Sequence, residues 1–269
     1  MTAVRGKFAC VTGGVTGIGY EFSKTLLRNG VKGLFIADMN EKGAPEAINK
    51  LQQYGDAEIK FEKIDLMNMY QAECMLKKMV NEFEHIDILV NRASIVAEAN
   101  YESMINVNYV SNKWLMSILA DIGLLYTTML ALYRYMPKYK SGDEGIIVNI
   151  SSIFGIQPGF SAPVYGATKH AVIGIGRSFG TDYYYNRYKV KILTMCPGSI
   201  NNSLSEDPNI DLDIDLFKEE IKNYPSQEVA YCGKCLEKML EKPENNAVWI
   251  TEGREIYQYP IENTFVRQK

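Results

Sequence analysis

Seven short apolar runs, separated for much of the chain by stretches of helical spacing, constrain this chain more than any other feature. They are Phe8–Val11, Leu34–Ala37, Ala57–Ile64, Ile86–Val90, Gly145–Ile150, Val190–Thr194 and Ala247–Ile250. Between them apolar residues recur at three- and four-residue intervals, as in Ile18, Phe22 and Leu26 before Gly30, or Ala72, Met75, Leu76, Met79, Val80 and Phe83. Strands joined by helices return parallel, so the pattern implies an α/β, doubly wound fold. It predicts a parallel sheet of about seven strands with helices on both faces. No proline- or glycine-rich linker interrupts it, and residues 1–269 read as one domain.

In such sheets ligands lie beyond the carboxyl ends of the strands, and there the chain concentrates its distinctive residues. The first run stops at Thr12-Gly13-Gly14-Val15-Thr16-Gly17-Ile18-Gly19. Glycines between a strand and a helix let backbone approach a pyrophosphate while the helix N-terminus faces its charge. The second run ends in Asp38, where a carboxylate can accept hydrogen bonds from an adenosine ribose and would repel a 2′-phosphate, so NAD is expected over NADP. Asp65, Asn91, Ser152 and Pro197-Gly198 close later strands. Val164-Tyr165-Gly166-Ala167-Thr168-Lys169 places a phenol and an ammonium one helical turn apart, on one face. A cation there favours phenolate and would make Tyr165 a general base.

Composition narrows the partners. Formal net charge is −3 and basic residues are scattered, so nothing points to nucleic acid or an anionic membrane as a partner. Five cysteines, Cys10, Cys74, Cys196, Cys232 and Cys235, make no disulfide framework. Cys232-Gly233-Lys234-Cys235 has redox or zinc spacing, but without a second pair and with only two histidines no metal is expected. The polar start, Met1 to Lys7, lacks the apolar core of a signal peptide, so cytoplasmic residence is expected.

Thr12-Gly13-x-x-x-Gly17-x-Gly19, Asp65, Asn91-x-Ala93, Ser152, Tyr165-x-x-x-Lys169 and Pro197-Gly198 occur in that order, with Ser152 thirteen residues before Tyr165. In this ordered set the chain resembles the short-chain dehydrogenase/reductase family over nearly its whole length. The likeness extends to the insect-type alcohol dehydrogenases and the 15-hydroxyprostaglandin dehydrogenases within it, on Gly145–Ser152, Pro163-Val164-Tyr165 and the tail Asn246–Ile250 with Ile256–Tyr259. The resemblance implies a Rossmann-like domain and NAD-dependent oxidation of a secondary alcohol to a ketone. Catalytic roles fall to Tyr165, Lys169, Ser152 and, as fourth residue, Asn108. Cofactor contacts fall to Thr12, Gly13, Gly17, Ile18, Gly19, Asp38, Asp65, Asn91, Tyr165, Lys169, Pro197, Gly198 and Ile200. A homodimer or tetramer is expected.

Several positions depart from the family. Arg92 and Ser94 replace an asparagine and a glycine beside the cofactor, and Arg92 would be a costly charge if buried. Ala162 stands where the prostaglandin enzymes carry glutamine, which argues against prostaglandin as substrate, and Asn202 replaces a threonine. From Asn108 to Ser152 the chain is longer than family spacing by roughly three and a half helical turns. The excess is assigned to an insertion at 111–122, within the apolar stretch Trp114–Tyr133. Asp121 argues against a membrane span there, and a hydrophobic subunit contact is expected. The acidic run Glu206–Glu220 reads as a solvated face flanking the entrance. Arg92, Ser94 and the insertion also support a rival reading, a catalytically weak or inactive relative that binds or stores the cofactor.

Overall fold

The computed structural model describes residues 3–66, 68–92, 123–201 and 213–260. Asn108, Ala93, Ser94, Asn202 and the insertion 111–122 lie outside the described residues. The strands are β1 Phe8–Thr12, β2 Gly33–Asp38, β3 Glu58–Lys63, β4 Ile88–Asn91, β5 Gly145–Ile150, β6 Val190–Pro197, β7 Val248–Glu252 and β8 Glu255–Gln258. They form one eight-stranded sheet in the order β3-β2-β1-β4-β5-β6-β7-β8. The first seven run parallel.

The expected parallel sheet of about seven strands is present, and an eighth strand extends its edge. It pairs antiparallel with β7 through a two-residue turn, Gly253 and Arg254, both at positive φ. That left-handed turn matches the twist of adjacent strands, so a stretch read as tail folds back as an edge strand.

The helices are α1 Gly17–Arg28, α2 Ala44–Leu51 and α3 Met69–Phe83, then α4 at 123–139, α5 Pro163–Phe179, α6 Asp182–Tyr188, α7 Ile214–Ile221 and α8 Ala230–Glu241. Local chemistry sets several of their starts. The Asn68 side chain accepts from the Tyr70 N–H to cap α3, and Asp213 accepts from the Leu216 N–H to cap α7. Pro163 opens α5, where its missing N–H costs nothing.

Side-chain alternation along the strands feeds two cores. Ala9, Val11, Leu34, Ile36, Ile88, Val90, Val148 and Leu193 pack with α1, α2 and α8. Phe8, Cys10, Phe35, Leu89, Ile147 and Ile192 face the other way, against α3 and α4. A smaller cluster of Ile153, Phe154, Ala162, Cys196, Phe217, Val248 and Ile250 closes the sheet near β6 and β7.

The described part of the apolar stretch is used inside the subunit, because Leu124, Leu130, Ala131 and Leu132 are buried. A π-helical turn at Ala131–Tyr135 interrupts α4 there. Among the described residues no helix is long and apolar enough to cross a membrane.

Two polar struts cross the sheet. Asp87, 1% exposed, accepts from the Phe8 N–H at 3.0 Å, the Ser141 N–H at 2.6 Å and the Ser141 hydroxyl at 2.9 Å. It thereby ties the start of β1 and the segment before β5 to the residue preceding β4. Near the opposite ends, the Asn91 amide donates to Thr128 Oγ1 and Asn149 Oδ1, both at 3.1 Å. This links β4, β5 and α4.

Candidate active site

The C-terminal ends of β1 to β6 lie along one edge of the sheet. They carry Gly13, Asp38, Asp65, Asn91, Ser152 and Pro197 in turn. Beyond β1 the chain turns through Gly13 and Gly17, at φ +67° and +54°, a region that disfavours side chains. The turn and α1 touch: a Cβ on Gly19 would lie 1.8 Å from the Gly13 carbonyl oxygen. Thr16, at the N-cap of α1, makes no side-chain hydrogen bond to the first turn, whose N–H groups therefore suit an anion. The buried Thr12 hydroxyl accepts from the Arg92 N–H at 2.9 Å, locking β1 to β4 below the turn.

Asp38 is fixed by two backbone N–H groups. Its Oδ2 accepts from the Val15 N–H and its Oδ1 from the Asn40 N–H, both at 2.9 Å, so the carboxylate is held against the glycine turn. Next along the edge, the Asp65 N–H donates to Gln71 Oε1 at 2.7 Å. Ile18 packs partly against the core under α1. A turn shaped by glycines where a Cβ would collide, an α1 start without a side-chain cap and a carboxylate at the second strand end fit a dinucleotide. The Asn91 side-chain amide is engaged by Thr128 on α4 and by Asn149 on β5.

Arg92, whose charge would be costly if fully buried, is half-buried. A guanidinium nitrogen lies 4.0 Å from where a Cβ on Gly17 would stand, so the departure from the family brings positive charge beside the turn.

The second half of the site follows β5. The Ser151 hydroxyl donates to the Lys169 carbonyl at 2.7 Å, and Ser152 Oγ accepts from the Phe154 N–H at 3.2 Å to start a short turn, Ile153–Gly155. Gly155 is obligatory there. A Cβ on it would meet Ser151 Oγ at 2.5 Å and the Lys169 carbonyl oxygen at 2.7 Å, so α5 is pressed directly onto the turn after Ser152. Along α5, Lys169 is 1% exposed and its Nζ lies 5.3 Å from the centre of the Tyr165 ring. The two side chains share one face of the helix. Ser152, Tyr165 and Lys169 thus meet in one neighbourhood. Asn108 lies outside the described residues.

At the end of β6 the Gly198 N–H donates to the Thr251 carbonyl at 2.7 Å, and a Cβ on Gly198 would lie 2.6 Å from Glu252 Cβ. Ile200 bridges Gln227.

Three supporting residues had no recognisable signal in the sequence. Gln227 brackets Ser199 and Asn201 through its backbone, while its side chain bonds the Thr251 backbone at 2.5 Å and hydroxyl at 2.9 Å. Ser151 joins β5 to α5. Glu220 lies within the acidic run read as solvated, yet it is 2% exposed, because two backbone N–H groups compensate its carboxylate. For Gly155 the signal was available, since glycine three residues after the serine marks a close approach.

Cys10, Cys196, Cys232 and Cys235 are buried, Cys74 is exposed and none is paired. Burial pushes the Cys232 thiol up to about 12 and raises Cys235 as well, which makes both poor thiolates. Among the described residues no group of three or more His, Cys, Asp or Glu side chains could hold a metal.

The family profile described as short chain dehydrogenase matches residues 7–212, and the chain belongs to that family. Alcohol dehydrogenase 1 of Ceratitis capitata is 33% identical over 253 residues, covering 93% of each chain. The human 15-hydroxyprostaglandin dehydrogenase [NAD(+)] is 33% identical over 204 residues, covering 76% of this chain and 71% of the relative. In fold, a levodione reductase superposes with a TM-score of 0.76 at 23% identity, covering 93% of this chain and 97% of that one.

Proposed function

We infer that this chain, as one domain over residues 1–269, is an NAD-dependent dehydrogenase that oxidises a secondary alcohol to a ketone. The observation that carries this reading is the Lys169 ammonium 5.3 Å from the Tyr165 ring centre, on a helix whose backbone is packed against the turn following Ser152. In its phenolate form, a tyrosine beside a buried cation would accept the hydroxyl proton of an alcohol and become the neutral phenol. The Ser152 hydroxyl would hold the substrate oxygen during that transfer. When bound, the nicotinamide supplies the hydride acceptor. Lys169 would also donate to the nicotinamide ribose, and the backbone from Gly198 to Ile200, braced by Gln227, would hold the carboxamide.

The choice of NAD rests on Asp38. Its carboxylate is fixed by two backbone N–H groups at the second strand end, where it would accept from the adenosine ribose and repel a 2′-phosphate. The relatives in Ceratitis are named alcohol dehydrogenases and the human relative a NAD(+) enzyme, which favours the same choice. Ala162, buried where the prostaglandin enzymes carry glutamine, argues for a different hydrophobic alcohol. Cytoplasmic residence and a homodimer or tetramer complete the reading.

Incubation with NAD and a panel of secondary alcohols tests it. Absorbance of the reduced nicotinamide should grow with NAD, and the growth should be at least about tenfold slower with NADP, a difference of about 1.4 kcal/mol. Silence across the panel with NAD still bound would establish the inactive rival instead.

A further inference from the structure

Beyond β6, α7 lies against the segment between Ser152 and Tyr165, and one polar contact fastens it there. Glu220 reaches from α7 to the loop before α5. Its Oε1 accepts from the Phe160 N–H at 2.9 Å and its Oε2 from the Ser161 N–H at 2.8 Å. That loop lies between Ser152 and Tyr165, so both carboxylate oxygens hold the stretch that joins the two. Apolar packing runs alongside. The Phe154 ring lies 6.5 Å from Phe217 on α7 and 6.4 Å from Tyr165 on α5, edge-on in both cases. The Ser161 hydroxyl is buried without a hydrogen-bond partner among the described residues, so the carboxylate, not that side chain, anchors the loop.

A buried carboxylate is expensive unless its hydrogen bonds are made. Glu220 therefore couples two positions: α7 cannot move off the crevice without stranding the charge, and the loop cannot move without losing both its acceptors. We propose that Glu220 is a positioning residue, a clasp that sets α7, as one wall of the substrate site, against the segment carrying Ser152 and Tyr165. This rests on the dehydrogenase reading above. A soft apolar contact would let α7 slide, whereas a two-oxygen bond to consecutive N–H groups fixes its distance and its rotation together. Substrate then meets a wall already in register with the serine and tyrosine.

The test compares Glu220→Gln, which keeps the shape but turns an amide NH2 toward one of the two N–H groups, with Glu219→Gln on the exposed face of the same helix. Hydrogen exchange is read at the Phe160 and Ser161 amides, alongside KM, kcat and NAD affinity. For Glu220→Gln those amides should exchange faster and KM for the alcohol should rise about tenfold, the loss of one charge-assisted hydrogen bond. NAD affinity should hold within about twofold, because the dinucleotide contacts other strand ends. Glu219→Gln should match the wild type. Faster exchange with unchanged KM and kcat would reduce Glu220 to a structural strut and overturn the proposal, as would exchange that does not change. A tighter-folding check uses Ser161→Ala, which leaves the backbone N–H in place and should leave KM unchanged. A wild type silent with every alcohol would instead remove the dehydrogenase reading, and this proposal with it.

Discussion

Replacing Tyr165 by Phe should lower kcat about a thousandfold, in the range expected for loss of a general base. The ring survives the change, so its edge-on contact with Phe154 and the close fit of α5 on Gly155 should persist. Only the hydroxyl goes. NAD should accordingly bind within about threefold of wild type, since the loss falls on the transition state and not on ground-state binding. Stopped-flow NADH formation with titration of NAD by protein fluorescence separates the two quantities. Retention of more than about a tenth of wild-type kcat would show that another group takes the proton. Loss of NAD binding with the activity would point to a misfolded α5, which circular dichroism would reveal.

The second large effect concerns stability. Asp87→Ala should destabilise by about 3–5 kcal/mol, the cost of breaking a buried, fully hydrogen-bonded charge. The change strands the Phe8 and Ser141 N–H groups at once. Lys7, 3.6 Å away and partly in water, adds little to the figure. A chain of this size would then melt roughly 10 °C lower, while kcat measured well below that temperature should be unchanged because Asp87 lies at the amino end of β4. Urea titration measures the difference. A shift below about 1 kcal/mol would mean that solvent replaces the carboxylate at both amides.

The placement of the candidate residues along the strand ends and on α5 was legible in the sequence because its signals are local. Gly13, Gly17 and Gly19 are dictated within one turn, Tyr165 and Lys169 within another, and each strand end announces itself where an apolar run stops. The sheet's parallel order followed from alternation. What escaped depends on partners far along the chain. Glu220 looks like one more charge in an acidic run until the Phe160 and Ser161 amides are seen to meet it. Gln227 is an ordinary loop residue until β7 lies beside it. For Arg92 the sequence left burial open, because the space beyond a strand's end depends on what packs there. The eighth strand was missed for another reason: Gly253-Arg254 is a weak turn signal, since arginine seldom adopts positive φ.

The distribution of the thiols has a practical corollary. Four sulfurs are sealed in the interior and Cys74 alone meets water. An alkylating reagent should therefore add one adduct per native chain, and further adducts only to molecules that have opened. Intact mass after a brief labelling pulse would count the opened fraction directly, without an optical probe and without touching the crevice.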